Sequence, residues 1–309
     1  MTLAPIAIEA FKKIAIGIDR PEDVVVGPDG RIFASDHQCA IAEIFADGTF
    51  ERMGPKGGAP NGLNMDRQGR VLIANFGIYD REDGPLQRFD PVTGQHETLL
   101  VEVEGKRLTS SNYPVMTGDG NIWCANSTHA DTWPQALDGR GDGFIFVLRP
   151  DGSSSIVAEG LKFPNGLALS KDEAFLFCAQ TSGADVVRFA ILSGGRLGPA
   201  HRYGPLLGHL NTPDTQYPAQ TLGYTDGVGM DAEGNVWVCL PAANKVIAIK
   251  PSLEVVTVID DPSGETVNHP TNVTWGGPDL KDLYIGSIRA NYVLKARSPV
   301  AGEPLVHQR

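Results

Sequence analysis

The sequence predicts an all-β protein, a six-bladed β-propeller, and three observations carry that expectation. A module of two short strands recurs six times, and the copies together account for nearly the whole chain of 309 residues. The 36 glycines and 22 prolines supply turns, while no stretch of ten or more residues carries a helical apolar stripe. Residues 1–309 therefore read as one propeller domain.

The clearest copy of the module is Tyr224 to Leu240, YTDGVGMDAEGNVWVCL. An acidic or amide residue follows a turn, a short apolar run comes next, a glycine turn stands eight residues on, and an aliphatic-aromatic strand completes the pair. With Asp226 as reference, the same register selects Glu22, Asn61, Asn112, Asn165 and Asn272. Successive reference positions lie 39, 51, 53, 61 and 46 residues apart, near the period of a four-stranded blade and too long for a leucine-rich or ankyrin unit.

Chemistry repeats at fixed offsets. Ten residues on, with one inserted residue in the fourth and sixth copies, stand Ile32, Val71, Ile122, Leu176, Val236 and Leu283. The next position holds Phe33, Leu72, Trp123, Phe177, Trp237 and Tyr284, and two further along come the small residues Ser35, Ala74, Ala125, Ala179, Cys239 and Gly286. A strand with one wet face would alternate with polar residues. These strands read as buried on both faces.

Taken in order, residues 7–17 read as a lone strand ahead of the first module, and a propeller must join its last blade to its first. Either this strand closes the ring or the tail, Glu303 to His307, does so. Asp-Gly, Thr-Gly and Gly-Gly turns mark outer hairpins after the inner pairs. Two insertions break the repeat: Ser127 to Gly143 joins the second and third strands of blade three, and Gly204 to Gly223 precedes blade five. Loops of this length are usually functional, and Trp133 and Tyr217 make them packed coverings of the end where the reference positions lie.

A net charge of −11 with dispersed Lys and Arg argues against nucleic-acid partners. The N-terminus lacks a basic start with an apolar core, and nowhere do eighteen apolar residues run together, so a cytoplasmic protein without membrane partners is expected. Cys39, Cys124, Cys178 and Cys239 lack paired short spacing and read as reduced core thiols.

In a propeller, equivalent positions of the innermost strands form a ring. Here that ring is Glu22, Asn61, Asn112, Asn165, Asp226 and Asn272, two carboxylates and four amides. Asn and Asp suit turns before strands, but Glu does not, and two carboxylates across a narrow channel repel unless a cation lies between them. Oxygen-only ligands suit a hard divalent ion, Ca²⁺ first and Mg²⁺ or Mn²⁺ next, with Zn²⁺ possible although no His or Cys joins the ring. At the far end of the second strands stand Asp36, Asn75, Asn126, Gln180, Leu240 and Ser287. These are either a second polar layer around a ligand, Asn126 among them, or strand ends kept polar for solubility. His37, His129 and His269 fall near the same end and read as surface or loop residues, His129 being the best exception because it begins an insertion.

The segments KFPNGLALSKDE, YTDGVGMDAEGNVWV, NVTWGGPDLKDLYIGS and PNGLNMDRQGRVLIAN resemble blade signatures of the gluconolactonase, regucalcin and luciferin-regenerating enzyme family of six-bladed propellers. The likeness extends over essentially the whole chain. It implies one divalent metal at the channel mouth, held by Glu22, Asn165 and Asp226, with Asn112 as a further ligand or substrate contact; the ring and the strand-end layer themselves offer Asn61, Asn126 and Asn272 as other substrate contacts. Ser110 stands where an Arg clamps sugar-acid substrates in animal members, and Arg20-Pro21 replaces the common Gly-Glu-Gly-Pro context before Glu22. The implied activity is a metal-dependent lactonase opening a sugar-type or other small lactone, in which the metal polarises the ester carbonyl and Asp226 is either base or ligand only. A phosphotriesterase or arylesterase on the same scaffold, and a non-catalytic calcium-binding propeller, are the alternatives.

Overall fold

The computed structural model describes residues 3–212, 214 and 223–309. Six antiparallel sheets of at least four strands surround a channel, and a small hairpin, Glu102–Val103 with Lys106–Arg107, lies beside them. The first strands of the blades are Val24–Val26, Pro60–Met65, Ser111–Met116, Pro164–Leu169, Val228–Met230 and Pro270–Gly276. Each packs against the first strand of the next blade, and the sixth packs against the first, so these six line the channel. The second strands carry the repeated aliphatic, large and small residues. All of these are buried except Ile32, which is partly exposed.

Two packed sheets must share a core, and six blades make six junctions. Six hydrophobic clusters fill them, from Val25, Phe33, Leu63 and Ile73 between blades one and two to Tyr284, Val293, Val24 and Ala34 between blades six and one. Trp123 and Trp237, the largest repeated side chains, are fully buried. Each such burial is worth on the order of 3 kcal/mol. The four cysteines are free and buried, as the sequence indicates.

The ring is closed by the N-terminus. Lys12–Ile14 pairs antiparallel with Val293–Arg297 as the outer strand of blade six, preceded by a short 3-10 turn at Ile8–Ala10. The tail does a different job. Its 3-10 turn Val306–Gln308 lies across the far end of the channel, where His307 Nε2 bonds Val26 O at 3.1 Å and Gln308 Nε2 donates to Val26 O and Trp275 O at 3.1 and 3.2 Å. Among the described residues no helix is long and apolar enough to cross a membrane. The α-helix present is the four-residue turn Trp133–Ala136.

Candidate functional site

The reference positions sit where each first strand begins, and the ladder there is irregular. In blades two, three, four and six the pairing of first and second strands shifts between Pro60 and Leu63, Ser111 and Pro114, Pro164 and Leu167, and Pro270 and Val273. Asn61, Asn112, Asn165 and Asn272 each fall within that shift. A bulge frees a residue from the ladder and re-aims its side chain. In blades one and five Glu22 and Asp226 lie just before the ladder starts, at Val24 and Val228.

Hydrogen bonds across every blade junction hold this end together. Gly166 N–H donates to Asp226 O at 3.2 Å and Gly227 N–H to Thr271 O at 2.6 Å. The Thr271 hydroxyl donates to Glu22 O at 2.6 Å, Leu63 N–H to the Asp23 carboxylate at 2.6 Å, Asn61 Nδ2 to Asn112 Oδ1 at 3.1 Å, and the Ser127 hydroxyl to Pro164 O at 2.8 Å. Glycine after the reference position permits the close approach: a Cβ at Gly227 would stand 2.3 Å from Thr271 O.

Three further residues enter the mouth through left-handed backbone two positions before the reference. They are Arg20 (φ 52), Phe163 (φ 59) and Tyr224 (φ 44), each in a conformation that costs on the order of 1 kcal/mol outside glycine. Phe163 and Tyr224 line the cavity above the ring. Arg20 turns to the acid: its guanidinium pairs with Glu22, donates to Asn61 Oδ1 at 2.9 Å and lies 4.1 Å from the centroid of the Tyr79 ring.

Glu22, Asn61, Asn112, Asn165 and Asp226 all line one cavity of about 280 Å³. Asn165 Nδ2 donates to the Thr181 hydroxyl and Asn112 Nδ2 to the Ser127 hydroxyl, both at 3.1 Å, which leaves each amide oxygen oriented by a fixed partner on its nitrogen. Asn272 and Asn126 are not among the described residues that line this cavity. Asn272 turns down the channel to Asp23 and the Tyr113 hydroxyl; Asn126 accepts from Thr109 N–H and Ser110 N–H, both at 3.0 Å, and so shapes the loop entering blade three.

Asp23 is the residue sequence reasoning missed. It is buried beneath Glu22 and accepts from Leu63 N–H, Val24 N–H and Asn272. The available signal was its place: it is the one charged residue among Asp23, Gly62, Tyr113, Gly166, Gly227 and Val273, which follow the six reference positions. Burial pushes Asp23 up to about 7 against the pull of those donors. Burial first, and then the charge of Glu22, push Asp226 well above the carboxylate range. Burial raises Glu22 as well, although Arg20 opposes it.

Glu22, Asp23 and Asp226 share this end of the channel; Arg20 pairs with Glu22, Arg289 also lines the cavity, and among the described residues no ion pair joins a cation to Asp226. That uncompensated acid charge fits a divalent cation. Among the described residues no three His, Cys, Asp or Glu side chains form a metal site by themselves, so the amide oxygens would have to contribute.

The first insertion covers the mouth. Trp133 and Leu137 line the cavity and belong to a seventh apolar cluster with Phe76, Phe163 and Tyr224. The second insertion meets it where Asn211 Nδ2 donates to Leu137 O at 2.7 Å; residues 213 and 215–222, Tyr217 included, lie outside the described residues. His129 bonds the Thr109 hydroxyl at 3.2 Å and is not among the described residues lining the cavity, whereas His269 is.

Residues 81–289 match the SMP-30/Gluconolactonase/LRE-like region. The chain belongs to this family. Residues 7–42 also match the strictosidine synthase-like N-terminal region. The chain is 27% identical over 233 residues to gluconolactonase from Zymomonas mobilis, covering 74% of this chain and 60% of that protein. Two solved structures share the fold. A gluconolactonase from Xanthomonas campestris superimposes with a TM-score of 0.71 at 22% identity, covering 93% of this chain and 89% of the other. A calcium-binding regucalcin from Agrobacterium tumefaciens gives a TM-score of 0.71 at 19% identity, covering 99% of both. Family membership therefore agrees with the resemblance read from the blade signatures.

Proposed function

We propose that this protein is a metal-dependent lactonase acting as one propeller domain in the cytoplasm, with Glu22, Asn165 and Asp226 holding a divalent cation and Asn112 beside them. The observation that carries the reading is Asp226, an acid of raised pKa with no ion pair to a cation among the described residues, opening onto a cavity at the channel mouth. The named relatives and the fold support the lactonase part.

When bound, the cation would polarise the ester carbonyl and offset charge developing on its oxygen, a contribution of several kcal/mol. The protein's own residues do the rest. Arg20 fixes the carboxylate of Glu22, and Asn61 passes that constraint to Asn112 through a 3.1 Å bond. Asp226 lies on the cavity floor, where its carboxylate would either take a proton from water or serve as a ligand only. The apolar cover of Trp133, Leu137 and Phe163 keeps other water from the site.

The test is hydrolysis of a lactone panel by protein stripped with chelator and then given Ca²⁺, Mg²⁺, Mn²⁺ or Zn²⁺. Metal-restored turnover of lactones is expected. Turnover of phosphotriesters or aryl esters in preference to lactones would move the reading to that chemistry, and metal binding without turnover of any ester would leave a calcium-binding propeller.

A further inference from the structure

The cavity has a floor of acids and amides and one side built of aromatic rings. Trp133 stacks on Phe76 with ring centroids 5.6 Å apart and planes 12° from parallel, Tyr79 meets Trp133 edge-on at 5.2 Å, and Phe163 closes the same side at 6.4 Å. Ala242 and Ile288 stand among the remaining lining residues. Polar side chains other than the floor come from Thr181, His269 and Arg289, together with the phenol groups of Tyr79 and Tyr224.

This wall is built in advance. Trp133 opens a short helix closed by Ala136 N–H donating to Thr132 O at 2.8 Å, and Asn211 anchors the helix end through Leu137 O. Tyr79 ends a 3-10 turn and is backed by the Arg20 guanidinium at 4.1 Å and by His37, whose ring stands edge-on at 6.0 Å. Aromatic rings held this way offer large apolar area with little ordering left to do on binding.

A lactone whose carbonyl reaches the floor presents the rest of its ring to these walls. A sugar lactone carries hydroxyls on those ring carbons, and each one that gives up water on the aromatic side without meeting a polar side chain is left without a hydrogen bond. A site that selects hydroxylated substrates pairs those hydroxyls and rejects analogues lacking them by orders of magnitude. Here the side formed by Trp133, Phe76 and Phe163 offers aromatic faces in place of such partners.

We propose that the substrate is a small lactone with an apolar body, an alkyl-substituted or aryl-fused ring, and that Trp133 sets this preference. The proposal rests on the lactonase reading above for its chemistry and on the aromatic wall for its specificity. Hydrolysis adds the oxygen of water to the acyl carbon and breaks the ring C–O bond; one proton of water ends on the ring oxygen and the other is released as the hydroxy acid ionises.

The experiment compares D-glucono-δ-lactone with δ-nonalactone and dihydrocoumarin, each as rate over the uncatalysed reaction. It also measures binding of the uncleavable lactam 3,4-dihydro-2-quinolinone by calorimetry, with and without Ca²⁺. The apolar lactones should exceed gluconolactone in kcat/KM by roughly 100-fold. Trp133→Ala should weaken lactam binding about tenfold and raise KM for δ-nonalactone similarly, leaving kcat closer to its starting value. Ile288→Ser, with thermal melting of both variants as the check on folding, gives the same direction from outside the aromatic cluster. Preference for gluconolactone overturns the proposal, as does lactam binding that neither variant weakens or that is absent altogether. Trp133-dependent lactam binding without turnover of any lactone sustains the apolar ligand class and defeats the lactonase reading instead.

Discussion

Arg20 and Glu22, two residues apart at the entry to blade one, form a buried ion pair inside the ring of reference positions. The pair exists because Arg20 adopts left-handed backbone (φ 52), which turns its guanidinium back onto the acid and under the Tyr79 ring. Removing one partner of a buried pair strands the other charge, a loss of about 3–5 kcal/mol. Arg20→Met should therefore destabilise metal-free protein by about 3 kcal/mol in urea denaturation, and by less in excess Ca²⁺ if the metal takes over charge compensation at Glu22. A loss below about 0.5 kcal/mol in chelator would show that the pair is not structural.

Close packing at the mouth gives a second expectation. A Cβ at Gly286 would lie 2.2 Å from Glu22 O and 2.7 Å from Pro21 O, both backbone atoms tied into the junction of blades six and one. Neither can swing away as a side-chain tip would. Gly286→Ala should lower stability by about 2 kcal/mol or more, visible as a lower melting temperature. Unchanged melting would mean that this junction relaxes freely.

The small residue at position 286 was legible in sequence because it repeats with Ser35, Ala74, Ala125, Ala179 and Cys239. The blades, their number and the ring of reference positions were legible for the same reason: each is written six times. What the sequence hid is marked by no repeated residue type: the left-handed position two before the reference holds Arg20, Phe163 and Tyr224 in three blades. Arg20 carries no mark of left-handed backbone, since that conformation is set by the strand it enters. Asp23 is one acid beside another, and its burial depends on Leu63 and Asn272 from other blades. The closing strand was ambiguous because Lys12–Ile14 and the tail are both short and unrepeated. Placement of Asn272 was hidden too, because a register gives height along a strand and a bulge then decides where the side chain points, while Asn126 pairs in register with Phe144 and turns to the amides of Thr109 and Ser110.

The far end of the channel titrates in the acid range. His307 is buried by the tail, bonds Val26 O, and burial pushes its pKa down to about 4. A histidine with a lowered folded pKa contributes stability that is present above its unfolded value near 6.5 and is lost as pH falls towards 4. The loss can reach about 3 kcal/mol by that linkage. His307→Gln should be less stable than the parent at pH 8, and the gap should narrow or reverse at pH 4 in denaturant titrations. A gap that stays constant across this range would place the titration elsewhere.

Asp226 should show opposite signs with and without metal. Burial and the charge of Glu22 raise its pKa, so in metal-free protein its protonated form is the favoured one. Stability from such a group is present below the unfolded carboxylate range and is lost as pH rises through the raised value. Asp226→Asn removes the charge but keeps an oxygen. In chelator at pH 8 the variant should therefore melt higher than the parent, and at pH 4, where the parent acid is already protonated, the advantage should vanish. Excess Ca²⁺ reverses the order, because the parent gains stability as metal concentration rises over its dissociation constant and the variant, one charge poorer, binds more weakly. Lactone hydrolysis at saturating metal then separates the two roles of the acid: lost turnover makes Asp226 the proton acceptor, and normal turnover leaves it a ligand only. If the variant melts lower than the parent in chelator at pH 8, then Asp226 is stabilised as an anion by the protein alone, and the argument for a cation at this mouth fails with it.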